Sequence, residues 1–317
     1  MARLILDGRI LPLREEESVL ECLLRHDVEV NYGCQAGVCQ SCMLQSEGDL
    51  PEEAQKGLKE TLRVQNYFLA CQCQPQNDLV IKIPAKENFQ AEVVSLERLT
   101  PEVVRLRLSV PEGFQYHPGQ FLNLFHADQT RSYSLASLPN EPFLELHIRR
   151  VPGGLFSRWI FQRLTEGNRV EIGPAQGECF YTEGLPEQPI LMIGTGTGLA
   201  PLYGILRDAL THGHEGDIRL YHGSSTPEGL YLQEELERLS SEHSNFSYVP
   251  CLSRGPAIEG VRSGRAVEIA LAEHPDLKGW RVFLCGNPDM VKSAQRGCFL
   301  SGTSVRDIYT DPFLPAA

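Results

Sequence analysis

The sequence of 317 residues contains no hydrophobic run that approaches the roughly 20 residues a membrane-spanning helix needs, so we expect no membrane span. Its first ten residues, MARLILDGRI, also lack the charged leader, apolar segment and cleavage site of a secretory signal. Basic residues are few, 29 Lys and Arg against 41 Asp and Glu, and the net charge of −12 argues against a nucleic-acid partner. Internal repeats and low-complexity stretches are also missing. A cytoplasmic protein whose cysteines bind metal rather than form disulfides is therefore expected.

Four of the ten cysteines form a pattern near the N-terminus. Cys34, Cys39 and Cys42 have the spacing C-x4-C-x2-C, and Cys71 follows 29 residues later. This is the plant-type spacing for a [2Fe–2S] cluster, in which two thiolates bind each iron. A structural zinc site would favour two separated C-x2–4-C pairs, whereas here three cysteines share one loop. Cys73 lies two residues beyond Cys71, and in a strand both would share a face, so spacing alone leaves the fourth ligand open.

The hydrophobic pattern divides the chain into three domains, giving a multidomain α+β and α/β fold. Residues 1–85 combine a hairpin signal at Asp7-Gly8, one amphipathic helix and a closing strand, which suits a β-grasp ferredoxin domain. Residues 86–184 contain short alternating strands separated by Pro and Gly, which predict an antiparallel β-barrel or sandwich. Residues 185–317 alternate apolar strands with helices, which predicts a doubly wound α/β domain.

Two glycine-containing turns and one polar strand predict nucleotide sites. The run GTGTGLAP at 194–201 lies between an apolar strand and a helix, where backbone N–H groups can contact a pyrophosphate. Its third glycine departs from the G-x-G-x-x-G spacing, so the acidic-residue rule for NAD cannot be applied. A second phosphate cradle is predicted where Gly153-Gly154 opens a helix. In the strand segment 131–134, RSYS, an Arg can neutralise a diphosphate, a Tyr can stack on a flat ring and a Ser can donate to a ring nitrogen.

These motifs occur in one order along the chain, from C-x4-C-x2-C and L-A-C through P-G-Q, R-x-Y-S, G-T-G-T-G-L-A-P and C-G-N-P to a terminal D-x-F. In that order they resemble the ferredoxin-fused branch of the ferredoxin–NAD(P)H reductase superfamily. Members of this branch are reductase components of bacterial multicomponent oxygenases, such as benzoate dioxygenase, phenol hydroxylase and methane monooxygenase. The resemblance covers essentially the whole chain.

The resemblance implies a role for each matching residue. The cluster would be bound by Cys34, Cys39, Cys42 and Cys71, the last because the ligand stands in the L-A-C tripeptide. FAD would be held by Arg131, Ser132, Tyr133, Ser134, His147, Ile148, Arg149, Gly154, Leu155, Phe156 and Ser157, with Ser134 near the flavin N5. The nicotinamide dinucleotide would lie on Gly194, Thr195, Gly196, Thr197 and Gly198. Cys285 and Gly286 would lie beside the nicotinamide ring, while Asp311 and Phe313 would be the C-terminal acid and the aromatic shield of the flavin.

One departure from the family bears on the choice of nucleotide. Members that prefer NADPH commonly carry basic residues after the second strand of the third domain, but here Ser224 and Ser225 stand in YHGSSTPEGLY. Without a cation the 2′-phosphate would lack a partner, so NADH is expected. Tyr231 is expected either to pack on the adenosine or to be a core residue.

The implied activity is an NAD(P)H-dependent electron-transfer enzyme. NADH gives up a hydride, a cluster accepts single electrons, and a flavin exchanges electrons in pairs or singly, so it links the two. The expected acceptor is an oxygenase or hydroxylase component, and the net charge of −5 in residues 1–84 is compatible with docking on a basic patch. Three alternatives remain open at this point: a reductase of a small molecule such as a deoxysugar intermediate, a non-catalytic electron-transfer subunit, and a zinc-stabilised binding module.

Overall fold

A computed structural model of the chain describes residues 2–37, 40–82, 88–255 and 257–314. The chain forms two compact units, Met1–Lys86 and Glu87–Ala317. The helices are α1 Val19–Arg25, α2 Glu60–Val64, α3 Leu155–Gln162, α4 Leu199–Thr211, α5 Gln233–Glu242, α6 Ala266–Glu273 and α7 Pro288–Leu300. The strands are β1 Arg3–Leu6, β2 Arg9–Pro12, β3 Met43–Ser46, β4 Tyr67–Leu69, β5 Leu79–Lys82, β6 Phe89–Thr100, β7 Val103–Ser109, β8 Phe121–His126, β9 Gln129–Ser134, β10 Phe143–Arg149, β11 Arg169–Ile172, β12 Ile190–Thr195, β13 Ile218–Ser224, β14 Phe246–Leu252, β15 Arg262–Ser263, β16 Arg281–Gly286 and β17 Ile308–Pro312.

The first unit is the predicted β-grasp ferredoxin fold. Its five strands lie in the order β2-β1-β5-β3-β4, and Asp7 and Gly8 form the two-residue turn between β1 and β2, both with positive φ. Ser18 caps α1 by accepting from the Glu21 backbone N–H, and the Glu21 side chain accepts in turn from the Ser18 N–H. The apolar face of α1 is buried against the sheet, which explains why helical spacing could be recognised there.

The first part of the second unit is a six-stranded antiparallel barrel in the order β10-β7-β6-β11-β8-β9. An isolated antiparallel bridge between Leu135 and Leu146 joins the two ends. Alternate residues of β7, such as Leu106 and Leu108, are fully buried in the barrel core, as the predicted period of two requires. The predictions did not include β11, which has only four residues and therefore too little alternation to stand out.

The second part of the unit is a doubly wound α/β layer. Its sheet is entirely parallel and has the order β15-β14-β13-β12-β16-β17, with β12, β13 and β16 apolar and buried. The chain order reverses between β12 and β16, and open α/β sheets bind ligands outside the carboxyl ends of the strands at such a point. Among the described residues, no helix has the length and apolar character to cross a membrane.

Candidate functional site

The cysteine loop of the first unit lies beside the turn that follows β4. Cys42 precedes β3, and its carbonyl accepts from the Ala70 N–H at 3.0 Å, which places it next to Cys71. Burial raises the pKa of the Cys42 thiol, which also interacts with the Cys71 side chain. Polar groups face the sulfurs as well: the Ala36 N–H is 3.4 Å from Cys34 Sγ, and Gln72 Nε2 is 3.5 Å from Cys71 Sγ. Such donors to sulfur are what thiolate-bound clusters require.

The four predicted ligands are only partly brought together. Cys39 lies outside the described residues. The described residues contain no group of three or more His, Cys, Asp or Glu side chains placed to hold a metal ion, so Cys34, which is exposed, is not gathered with Cys42 and Cys71. The prediction of a cluster is therefore supported by three observations: the adjacent thiols of Cys42 and Cys71, the spacing of the four cysteines, and the polar groups that face the sulfurs.

Cys71 and Cys73 have different surroundings in the structure. Residues 70–72 form a 3-10 turn and not a strand, so the shared face that a strand would give these two side chains does not arise. Cys71 is partly accessible, whereas Cys73 is fully buried in the core of the unit. Burial raises the pKa of the Cys73 thiol to about 12, which keeps it protonated. The geometry favours Cys71 as the fourth ligand.

The second unit contains a large cleft of about 2110 Å³. One side is formed by the end of β9 and the start of α3 from the barrel. The other side is formed by the glycine turn after β12, the end of β13, and the start of α7. The C-terminal segment 310–314 completes it. Thus most of the predicted nucleotide motifs face one cavity at the carboxyl ends of β12 and β16.

The glycine turn and the Cys285-Gly286 segment touch through their backbones. A Cβ on Gly198 would collide with the Cys285 carbonyl, and a Cβ on Gly286 would lie 2.6 Å from the Thr195 carbonyl. Gly194 is similarly restricted, since a Cβ there would lie 2.7 Å from Leu202 Cδ1. These glycines allow the start of α4 to approach the end of β16 closely. The turn predicted to bind the pyrophosphate and the segment predicted to contact the nicotinamide are therefore in direct backbone contact.

Cys285 itself is fully buried, and its Sγ lies 3.6 Å from the Sγ of Cys179. Burial and the neighbouring Cys179 raise the pKa of the Cys285 thiol well above its usual value, so it stays uncharged. The Cys285 side chain thus packs in the core and does not line the cleft, and its backbone is the part that adjoins the glycine turn.

Ser134 and Asp311 meet where the barrel and the C-terminal strand adjoin. The Ser134 hydroxyl donates to Asp311 Oδ2 at 2.7 Å. Burial raises the pKa of Asp311 to about 6, and the hydrogen bond from Ser134 opposes the rise. Asp311 pairs in register with Cys285 on the adjacent strand, and the Phe313 N–H donates to the Gly286 carbonyl at 2.8 Å. Of the four predicted catalytic residues, Ser134, Asp311 and Phe313 line the cleft, whereas Cys285 lies behind them in the core.

The predicted FAD residues on β9 alternate in direction. Arg131 and Tyr133 lie near the ring of Phe156 on α3, at 5.8 Å and 6.2 Å from its centroid. The side chain of Ser132 is exposed and donates to Asn123 Oδ1 at 2.8 Å.

At the start of α3, the Ser157 hydroxyl accepts from the Val151 N–H and so stabilises the turn before the helix. Gly154 is the residue that caps α3, and Leu155 is exposed beside the cleft.

The predicted residues on β10 have different surroundings. Ile148 is fully buried in the barrel core, so its side chain cannot reach a ligand, while Arg149 is exposed and lies 3.7 Å from Glu102. His147 is buried and lies 3.1 Å from the Tyr231 hydroxyl and 3.0 Å from Glu145 Oε1. Tyr231 is buried and belongs to the core, which is the second of the two alternatives considered for it.

The carboxylate beside His147 is held in its charged form. Burial alone would raise the pKa of Glu145, but its bonds with His147 and the nearby Arg105 and Arg107 lower it to about 2. Glu145, His147 and the two arginines form a buried charged network, of which His147 lines the cleft.

Arg265 is a cleft residue that the sequence predictions missed. It precedes α6 and lines the cleft together with Ser224 and Ser225. Its Nη1 atom lies 3.5 Å from Glu268, and both side chains are largely exposed. The residue is 40 positions beyond Ser225 in the chain, and the pairing of β13 with β14 and of β14 with β15 brings the two segments together. Apart from Arg131 and Arg149 of the barrel, it is the cation among the described lining residues.

Comparisons with known proteins place these features in a family. Family models match three segments: a 2Fe-2S iron-sulfur cluster binding domain at residues 5–76, an oxidoreductase FAD-binding domain at 90–181 and an oxidoreductase NAD-binding domain at 192–296. The chain is 31% identical to the naphthalene 1,2-dioxygenase system ferredoxin–NAD(P)(+) reductase component of Pseudomonas putida, covering 98% of this chain and 97% of that one. It is 32% identical to the aromatic O-demethylase reductase subunit of an Amycolatopsis strain, covering 98% of each.

Solved structures give the same result. The crystal structure of the Amycolatopsis cytochrome P450 reductase GcoB is 30% identical, covers 100% of both chains and superposes with a TM-score of 0.71. The ferredoxin reductase in carbazole 1,9a-dioxygenase is 25% identical, covers 99% of this chain and 98% of that chain, and has a TM-score of 0.65.

Proposed function

Since this chain belongs to the ferredoxin-fused branch of the ferredoxin–NAD(P)H reductase family, we propose that it is the reductase component of an oxygenase or hydroxylase system, with NADH as electron donor. The acceptor is a protein component of that system, because the similar proteins of Pseudomonas putida and Amycolatopsis are a reductase component and a reductase subunit. The observation that carries the proposal is the single cleft to which the barrel, the glycine turn and the C-terminal segment all contribute. We further propose domain limits of 1–85, 86–184 and 185–317, and a cytoplasmic location.

The residues present fit the three groups that the family implies. When bound, FAD accepts an electron pair from NADH and passes electrons singly to the [2Fe–2S] cluster. Arg131 and the start of α3 provide a cation and backbone N–H groups for the FAD diphosphate, and Tyr133 provides a ring for stacking. The glycine turn after β12 binds the NADH pyrophosphate. Cys42 and Cys71, with Cys34 and Cys39, supply four thiolates.

The cleft residues orient the reacting ring and exclude water. Cys285 and Gly286 do not line the cleft; their backbones form the surface against which the glycine turn packs, and the uncharged Cys285 thiol faces Cys179 in the core. Phe313 is tied to that surface through its bond to the Gly286 carbonyl, which holds an aromatic ring at the opening of the cleft. The Ser134 hydroxyl is oriented by Asp311, so its position does not depend on solvent. These residues position the partners and transfer no proton themselves.

The decisive experiment is an absorption spectrum of the purified protein under argon, before and after addition of NADH. We expect overlapping flavin and iron–sulfur bands that fade on addition. Material with no acid-labile sulfide, or bands that NADH leaves unchanged, would refute the proposal. A colourless protein would favour the zinc module, and turnover with a small molecule but with no protein acceptor would favour the small-molecule reductase.

The rate of NADH–ferricyanide turnover is expected to depend on the charge of Asp311. Loss of hydride leaves the nicotinamide ring positive, and an ionised carboxylate near it stabilises that charge. The pKa of Asp311 is raised by burial to about 6, so the carboxyl is protonated below that pH and charged above it. We expect the rate at saturating NADH to rise about tenfold between acid and neutral pH, which corresponds to roughly 1.4 kcal/mol of barrier.

Two variants test this assignment. Asp311→Asn is expected to remove the midpoint near pH 6 and to keep the low rate throughout. Ser134→Ala removes the hydrogen bond that lowers the pKa of Asp311, so its midpoint should move to higher pH. An unchanged midpoint in Asp311→Asn would show that another group titrates.

Arg265 is expected to determine how well NADPH is tolerated. An exposed cation beside Ser224 and Ser225 can pair with a 2′-phosphate, although Glu268 competes for it. We expect NADH to be preferred, and Arg265→Ala to lower kcat/KM for NADPH about fivefold, the effect of roughly 1 kcal/mol, with little change for NADH. Arg262→Ala, which removes an exposed Arg paired with Glu273 outside the cleft lining, is the matched control. Equal losses with both nucleotides would contradict this role.

A further inference from the structure

His222 is a fully buried histidine that none of the roles above uses. It lies on the central strand β13, in register with Gly194 of β12 on one side and Pro250 of β14 on the other. Its Nε2 atom is 3.2 Å from the Gly196 carbonyl oxygen, and its Nδ1 atom is 3.3 Å from the Tyr248 hydroxyl. The ring of Tyr231 packs edge-on against it at 5.7 Å. The imidazole therefore links the strand layer directly to the glycine turn.

The chemistry of its two partners determines the tautomer of His222. Burial lowers its pKa to about 4, although the bond to the Gly196 carbonyl raises it, so the ring is neutral near pH 7. A carbonyl oxygen can only accept, so the single ring proton lies on Nε2. Nδ1 then accepts from the Tyr248 hydroxyl, which keeps its proton because burial raises the pKa of Tyr248.

The bond from His222 determines the direction of one peptide group. The Gly196 carbonyl also accepts from the Leu199 N–H, so both of its lone pairs are used by residues that do not line the cleft. In a trans peptide the carbonyl and the following N–H point in opposite directions, and the structure has no cis bond among its described residues. The Thr197 N–H consequently points toward the cleft that Thr195, Gly196 and Thr197 line.

Gly196 could adopt other orientations without this bond. Its φ is +56°, and a Cβ there would have no neighbour within 4 Å, so packing does not restrain the residue. A glycine in open space can rotate its peptide groups at small cost. Hydrogen bonds therefore maintain its orientation before the nucleotide binds, and the bond from His222 adds to the one from the Leu199 N–H.

We propose that His222 is a positioning residue for the nicotinamide dinucleotide: by holding the Gly196 carbonyl, it keeps the Thr197 N–H directed at the pyrophosphate of NADH. This inference rests on the proposed function and adds to it a residue that does not itself contact the nucleotide. Preorganised donors bind an anion without the cost of ordering them, so the effect appears in affinity for NADH rather than in the rate of hydride transfer.

The test compares three full-length variants by NADH–ferricyanide turnover and flavin content. His222→Leu removes the donor at similar volume, and the KM for NADH should rise about tenfold while kcat changes less than about twofold. His222→Gln retains an amide donor at about the same reach, so its KM should stay within about threefold of wild type. Tyr248→Phe removes the group that selects the tautomer, and a rise in KM of about threefold is expected.

An unchanged KM in a flavin-loaded His222→Leu protein would overturn the proposal. Equal rises in KM for the Leu and Gln variants would also overturn it, because the donor would then be irrelevant. If His222→Leu does not fold, a wild-type KM in Tyr248→Phe overturns the proposal, and a raised KM in that variant alongside a near-normal Gln variant supports it. A wild-type protein that does not oxidise NADH refutes the proposed function instead.

Discussion

Cys71→Ser is expected to lose the iron–sulfur absorbance and to reduce cytochrome c at least about 100-fold more slowly, since the single-electron route to a protein acceptor then lacks its carrier. NADH–ferricyanide turnover should survive, because ferricyanide can take electrons directly from the flavin and the cleft of the second unit is unaltered. Iron and sulfide analysis, together with the two activities measured on the same preparation, checks both parts of this expectation.

Cys73→Ala is the matched control for that variant. It removes a thiol only two residues away, from a fully buried position in the core of the unit. The expected cost is stability alone, of roughly 1 kcal/mol for a small cavity, with the cluster and both activities retained. A Cys73→Ala protein without a cluster, beside a Cys71→Ser protein that keeps one, would reverse the ligand assignment. Loss of both activities in Cys71→Ser would instead show that the electron order is different.

The features that sequence could predict are those specified by local patterns. The turn at Asp7-Gly8 and the period-two alternation of β7 depend on neighbouring residues, and both were found where they were expected. The fold class followed from the hydrophobic pattern, the family and the three cofactors followed from short motifs in a fixed order, and the comparisons confirm them. The roles of individual site residues stay predictions.

Other features depend on contacts between residues far apart in the chain. The separation of Cys71 from Cys73 arises from a 3-10 turn that no spacing indicates. Arg265 reaches the neighbourhood of Ser225 through the pairing of strands, and His222 contacts Gly196 because β12 and β13 are adjacent in the sheet. In a sequence, a histidine in an apolar strand is indistinguishable from an ordinary core residue. The role of His222 can be inferred only when the acceptor of its hydrogen bond, the Gly196 carbonyl oxygen, is known.

The close approach of the glycine turn to β16 leads to the second large expected effect. Gly198→Ala should reduce kcat/KM for NADH about 100-fold, because the added methyl group collides with the Cys285 carbonyl and must move the start of α4 away from β16. Gly198 has a negative φ of −59°, so the substitution introduces no strain of the left-handed region, and the close contact alone acts. Flavin content should be retained, since the barrel residues are unchanged.

Gly173→Ala distinguishes this effect from a general cost of replacing glycine in the same unit. A Cβ on Gly173 would meet Asn123 and Phe125 at 3.5–3.8 Å, which is ordinary van der Waals contact, and the residue does not line the cleft. Its kcat/KM should stay within about twofold of wild type. Were Gly198→Ala to retain full NADH turnover, the nucleotide would not require the junction of the glycine turn with Cys285-Gly286. The hydride donor would then have to bind elsewhere in the cleft.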